Sequence, residues 1–305
     1  MLAATLLALG SAFVHAAWNL LIKTSDDRAI AAWGQFLAAA LLSTVGLLVI
    51  GGPGWQALPY LAVTGLVHVL YVEGLVAAYT HGDFSLSYPL ARGGGAVLAA
   101  LGSVAFLGDH LNAAAWVAIA IAGAGLLSLR GGRGVPAADD VVLGPLDAGP
   151  VEQPATRTGW STESRALTYA GLTAACIASY TLIDSAGSRA SADGVAYGFG
   201  SVAAAGLFIT ASNLVRPARR ARASQLRVGW RRALAGGLGT TIAYTMVLVA
   251  VREAPVGYVT MLRESSVVIG AVLGWLVLRE GLGARRLASS GIILAGLVLL
   301  VTLGR

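Results

Sequence analysis

Charge is what this sequence has least of. Only 12% of its 305 residues are charged, against roughly 25% in soluble domains. A chain this poor in charge cannot clothe a water-facing surface, so a soluble globular fold is excluded. Cysteine is nearly missing as well. Cys176 is the single example, which excludes an intramolecular disulfide and a paired CxxC motif. There is no GxxxxGK[ST] phosphate loop, no HExxH and no GxSxG elbow, so the signatures of NTPases, zinc peptidases and serine hydrolases are lacking. Gly93-Gly94-Gly95 lies inside an apolar stretch rather than after a strand, which suits helix packing and a flexible kink better than nucleotide binding. No basic segment precedes the first apolar run, so that run is read as a retained helix rather than a signal peptide.

What the chain has is length of apolar run. It is 56% hydrophobic, and its apolar stretches lie at about 2–22, 30–50, 58–80, 85–107, 113–130, 166–187, 194–215, 233–251, 256–278 and 286–303. Each is near the ~20 residues that span a bilayer. The expected fold class is an all-α polytopic membrane protein with ten transmembrane helices. Residues 131–165, rich in Gly, Pro, Asp, Glu and Thr, cannot bury a face and read as a flexible linker. Residues 1–130 and 166–305 then form two five-helix repeats. With five helices per half, the second copy inserts upside down relative to the first, giving inverted repeats as in many secondary transporters.

The repeat can be read in the residues. Arg92-Gly-Gly-Gly95, Ala99, Ser103 and Asp109 are matched by Arg263-Glu-Ser-Ser266, Gly270, Gly274 and Glu280 at a constant offset of 171. Small residues at every fourth position form a narrow stripe for close helix approach in lipid, and the sequence predicts that the two stripes pack on each other. Ser11, Ala16, Trp18, Asn19 and Leu20 parallel Thr173, Ala178, Tyr180, Thr181 and Leu182 at an offset of 162.

Loop charge gives an orientation. Loops after odd-numbered helices hold sixteen Lys/Arg and those after even-numbered helices hold two, Arg189 and Arg252. Basic loops stay in the cytoplasm, which puts both termini together on the non-cytoplasmic face of the cell (inner) membrane. The net charge of +6 suits anionic lipid headgroups rather than nucleic acid. The expected partners are a small-molecule substrate and membrane lipid, with the chain acting as a monomer or homodimer. No cofactor, metal or catalytic residue is expected, and a proton is the candidate coupling ion.

Polar groups inside apolar helices carry the functional signal, since a charge at mid-bilayer costs at least ~2.5–3.5 kcal/mol and needs a partner or a wet cavity. Ser11, His15, Trp18 and Asn19 share one face of the first helix. They read as a cavity wall, or else as a polar seam bonded to neighbouring helices. Arg92 and Arg263 each lie about seven residues, roughly 10 Å, into their helices. They flank a central cavity, or form buried ion pairs with Glu264 or Glu73. Glu73 is the best candidate for proton coupling, because a carboxyl group in the hydrocarbon can hold a proton; it faces away from Tyr71 on the same helix. Asp184 and Glu264 are further coupling or ion-pair candidates; Asp184 lies near a helix end, where an interfacial position is the other reading. Tyr79, Tyr88, Tyr180 and Tyr244 suit cavity walls or interface belts. Pro89 and Pro255 would loosen backbone bonds near the starts of helices four and nine.

Three stretches then resemble a known family: His15-Ala-Ala-Trp18-Asn19; Ala78-Tyr79-Thr-His-Gly82-Asp83-Phe-Ser-Leu-Ser-Tyr88-Pro89-Leu-Ala-Arg92-Gly93; and Ala254-Pro255-Val-Gly257-Tyr-Val-Thr-Met-Leu-Arg263-Glu264-Ser265. They look like EamA-type transporters of the drug/metabolite transporter superfamily. The resemblance implies two inverted five-helix repeats moving small metabolites, often outward, by proton exchange or facilitated diffusion. It also implies cytoplasmic termini, against the loop charges. Glu73 stands where the family has an apolar residue, and Gly108-Asp109-His110-Leu111 replaces the family's Gly-Glu-Arg-Leu. The rival classes are a passive channel, a sensor and an intramembrane enzyme. A sensor lacks room for an output domain, and the membrane carboxylates look too solitary for catalysis.

Overall fold

In the computed structural model the described residues are 1–23, 28–81, 84–128, 160–269, 272 and 284–303, and among them there is no strand. Long helices run over Leu2–Lys23 (α1), Arg28–Ile50 (α2), Leu58–His81 (α3), Phe84–Phe106 (α4), Ala113–Ser128 (α5), Trp160–Ala190 (α6), Gly194–Leu214 (α7), Trp230–Glu253 (α8) and Ala284–Leu303 (α10), with the shorter Val256–Arg263 (α9) between the last two. Most ends fall within a few residues of the apolar stretches. The exceptions are α6 and α9. Helix α6 begins at Trp160, inside the expected 131–165 linker, whose residues 131–159 lie outside the described ones. Helix α9 stops at Arg263, and helical backbone resumes over 265–269. The cause is a local tightening: the Glu264 N–H bonds three residues back, to Met261 O at 3.1 Å, as in a 3-10 turn.

The helix ends are set by side chains of the expected kinds. Asp193 caps α7 by accepting the Val195 and Ala196 N–H groups at 2.7 and 3.2 Å, and Asn112 does the same for α5 through the Ala115 N–H. After α4 the chain turns at Gly108, whose φ of 68° is a left-handed conformation that favours glycine.

Five helical stretches among the described residues, Ile30–Ile50, Trp55–Leu75, Arg165–Ala190, Gly194–Leu214 and Trp230–Glu253, are long and apolar enough to cross a membrane. Leu2–Trp18, Leu90–Phe106, Ala113–Ser128 and Ala288–Leu303 are shorter apolar helices. Large apolar side chains such as Leu48, Val49 and Phe106 point outward, whereas Ser11, Gln35, Ser43, Thr64, Ser103, Thr173 and Ser201 are fully buried. That distribution suits a lipid surround, where apolar surface needs no cover and polar groups must be satisfied internally.

The main packing partners come from opposite ends of the chain. Helix α3 packs on α6 and α1 on α8; α2 packs on α7, α5 on α10, and α4 on both α6 and α9. Adding five to each helix number maps α3·α6 onto α8·α1 and returns α2·α7 and α5·α10 to themselves. The α5–α10 contact is reciprocal down to the residue. A Cβ on Gly125 would meet Ile293 N at 2.8 Å, and one on Gly296 would meet Ala122 N at 2.6 Å. Each glycine lets one backbone touch the other, and Gly125 and Gly296 are 171 apart, as are Ala122 and Ile293.

The predicted stripe-to-stripe contact is corrected. Gly95 on α4 faces Ile177 and Ala174 of α6, and α4 meets α9 instead at Ala100 and Gly257. Ile177 is bulky and complementary to the glycine notch, so Gly95 packs on α6. Gly270, Gly274 and Glu280 lie outside the described residues.

Candidate functional site

On α1, Ser11, His15 and Trp18 follow at i, i+4 and i+7; on α3, Thr64, His68 and Tyr71 repeat that spacing and nearly that chemistry. Both triplets turn inward, because their hydroxyls have acceptors on the facing helix. Ser11 donates to Ala243 O of α8 at 2.7 Å, and Thr64 donates to Asp184 of α6 at 3.0 Å. Between them lies a cavity with about 920 Å³ of empty space, its open mouth included. His15, Trp18, His68, Tyr71, Arg92, Tyr180, Tyr244 and Arg263 are among its walls, with Phe36, Leu75, Ile177 and Val202 supplying apolar surface.

One side of the cavity is an aromatic cluster. His68 stacks on Tyr180 with ring centres 4.4 Å apart and planes 27° apart, and Tyr71 meets Tyr180 edge-on at 5.7 Å. Opposite, the His15 and Trp18 rings meet edge-on at 4.9 Å, and Trp18 packs on Gly239 of α8. At the offsets noted above, Trp18 corresponds to Tyr180 and Gly239 to His68. The same contact is therefore made twice, once with an imidazole and once with nothing.

Behind the aromatics lies Asp184, fully buried. Its Oδ2 accepts from Thr64 at 3.0 Å, Ser201 at 2.9 Å and Tyr244 at 2.6 Å, and its Oδ1 accepts from the Tyr197 hydroxyl at 3.0 Å. Four hydroxyls satisfy both oxygens of this buried carboxyl group, with no cation in contact among the described residues. The expected interfacial position for Asp184 is thereby corrected. Helix α6 runs on to Ala190 and α3, α7 and α8 close over the side chain, so the residue is interior although it stands near the end of its apolar run.

The two arginines differ. Arg92 pairs with Glu264 at 3.0 Å, and both side chains are buried. Arg263 has no carboxylate in contact among the described residues; its guanidinium lies 5.7 Å from the Tyr244 ring centre, and its buried Nε has no hydrogen-bond acceptor. The Trp18 Nε1 donor is likewise buried without an acceptor among the described residues.

Glu73 is placed away from this cavity. It accepts from Arg216 at 2.5 Å and Arg219 at 2.8 Å, two arginines at the short helix Pro217–Arg220. Its predicted place in coupling is corrected to an ion pair that anchors the loop after α7, because the face of α3 that carries Tyr71 and His68 is the one turned to the cavity. Asp109 and Arg189 form another pair, at 2.8 Å, and Asp109 also accepts the Val256 N–H at the start of α9, at 2.6 Å, where a negative charge suits the helix N-terminus. The described membrane carboxylates are thus partnered rather than solitary. The side chains of Asn19, Tyr79, Tyr88 and Pro89 lie outside the described residues. His68 and Tyr71 were missed as site residues; the repeated hydroxyl–histidine–aromatic spacing is the signal that finds them.

None of the curated proteins matches the chain. A solved structure described only as a crystal structure of a protein shares the fold, with a TM-score of 0.71 over 99% of this chain and 98% of that one, at 16% identity. At that identity the likeness carries the fold alone. Residues 164–302, which run from α6 into α10, match the EamA-like transporter family.

Proposed function

We propose that this protein is a secondary-active transporter of small metabolites, amino acids or related compounds among them, working outward by alternating access through ten spans in two inverted five-helix repeats. The observation that carries the reading is the cavity: its walls come from helices on both sides of residues 129–159, with Arg92, Trp18 and His15 from one side and Arg263, Tyr180 and Tyr244 from the other. A site between repeats is what rocking of one repeat against the other exposes to each face in turn. The swap-related helix pairs and the reciprocal Gly125–Gly296 contact support the repeat.

A passive facilitator is the second reading, favoured by the absence of a carboxylate in contact with Arg263 among the described residues. Accelerated exchange separates the two. In proteoliposomes preloaded with unlabelled substrate, a carrier takes up labelled substrate faster than empty vesicles do, since the loaded site returns more readily. Equal rates with and without preloading would sink alternating access and leave the facilitator.

A further inference from the structure

Resting on the transport reading above, the charges in the cavity point to its ligand. Glu264 is engaged by Arg92 through one oxygen at 3.0 Å, and Asp184 accepts from four hydroxyls, so each of these carboxylates already has a partner in the protein. Arg263 is left as a cation in the wall with no anion in contact among the described residues. Trp18 belongs to the same wall, its buried N–H without an acceptor among the described residues, and the other walls are largely aromatic and aliphatic. Donors without acceptors, a planar cation and flat apolar walls fit a carboxylate on an apolar, planar body.

His68 adds a proton site. Its Nδ1 lies 2.8 Å from the Thr64 carbonyl oxygen, so Nδ1 carries the hydrogen and Nε2 holds the lone pair. That nitrogen has no hydrogen bond among the described residues, and the ring forms part of the cavity wall. Thr64 bonds both His68 and Asp184, so a carboxylate stands one hydroxyl away from any imidazolium formed there. The titratable and charged groups facing His68 are Tyr71 on its own helix, Asp184 and Tyr180 on α6, Tyr244 on α8 and Arg263 on α9, with Arg92 on α4 paired to Glu264, Tyr197 on α7 behind Asp184, and His15 on α1 across the cavity.

We infer that the cavity binds an organic monocarboxylate on Arg263 together with one proton on His68 Nε2. A proton there makes the cavity more positive, so it and the anion bind cooperatively, and each raises the affinity for the other by the same factor.

Matched ligands test this on the wild-type protein in lipid nanodiscs by calorimetry: 3-phenylpropionate, phenylalanine and phenethylamine share a ring and differ in charge. 3-Phenylpropionate is expected to bind tightest and phenethylamine not to bind. Absence of 3-phenylpropionate binding, or tighter binding of phenylalanine or phenethylamine, overturns the inference. Arg263→Gln is expected to weaken 3-phenylpropionate by at least about tenfold; undiminished binding overturns it. Affinity for the anion is expected to rise several-fold from about pH 8 to about pH 5.5, across the histidine range. His68→Asn keeps a donor for the Thr64 carbonyl but cannot titrate, and it is expected to flatten that profile. A slope that survives in His68→Asn overturns the proton site. Binding without flux would instead count against transport alone, which keeps the two failures distinct.

Discussion

Arg92 has a carboxylate in contact and Arg263 has none among the described residues, and the difference between them is measurable. Removing one partner of a buried pair leaves a charge with no counter-ion, which costs about 3–5 kcal/mol. Arg92→Gln is therefore expected to lower the unfolding temperature in detergent sharply, and the double variant Arg92→Gln/Glu264→Gln to recover much of the loss. A double variant as unstable as the sum of the two singles would show that the pair is not coupled. Asp184 invites a second comparison. Asp184→Asn keeps an acceptor oxygen, and Tyr197 can turn its hydroxyl to accept from the new amide. Asp184→Leu strips the acceptor from four buried hydroxyls, at about 1–3 kcal/mol for each one left unsatisfied. The Asn variant should fold and the Leu variant should not accumulate as monodisperse protein; equal behaviour would remove the four-hydroxyl cluster as a structural element. At this scale the sequence was legible wherever a polar residue interrupts an apolar helix: His15, Trp18, Arg92 and Arg263 were all visible. Asp184 was misread because its depth depends on how far α6 continues and on what α3, α7 and α8 place over it, which no local window contains. Glu73 was misread because its partners, Arg216 and Arg219, belong to a loop whose path the sequence does not fix.

For the helices, apolar length and capping chemistry were enough to place most ends, since a helix in lipid has no alternative way to satisfy its backbone. Facing was not. The small-residue stripe of α4 was visible, but a notch such as Gly95 does not announce its ridge, and Ile177 of α6 has no feature that distinguishes it from other buried aliphatics. The α5–α10 contact is the opposite case, because both sides carry a glycine, Gly125 and Gly296, at the 171-residue spacing. Gly296→Val would press a branched side chain onto the backbone at Ala122 and is expected to cost about 1–3 kcal/mol or more. Gly291→Val, on the same helix with open space at its Cβ, should be tolerated. Similar thermal stability of the two variants would place the α5–α10 interface elsewhere.

At the scale of the whole molecule, the basic loops set an expectation for sidedness. With Cys176 replaced by alanine, the chain has no cysteine, and single cysteines can report which face each loop occupies. Trp55 is 76% exposed between α2 and α3, and Val228 is 88% exposed between α7 and α8. If basic loops lie in the cytoplasm, Trp55→Cys is labelled by an impermeant maleimide on intact cells and Val228→Cys only after permeabilisation. The reverse pattern would invert the orientation and agree with the cytoplasmic termini that the family resemblance implies.

The interleaving of the two sets of helices also has a consequence in time. Helix α1 packs chiefly on α8, and Ser11 of α1 donates to the Ala243 carbonyl there. Ser11 and Ala243 are 232 residues apart along the chain. At about 5–20 residues per second, α1 waits roughly 10–45 s in the membrane before that partner has been made. During that interval Ser11, His15 and Trp18 are without the helix they pack on in the finished protein. The polar face that builds the cavity in the finished protein is thus the part of the newborn chain most in need of temporary shelter.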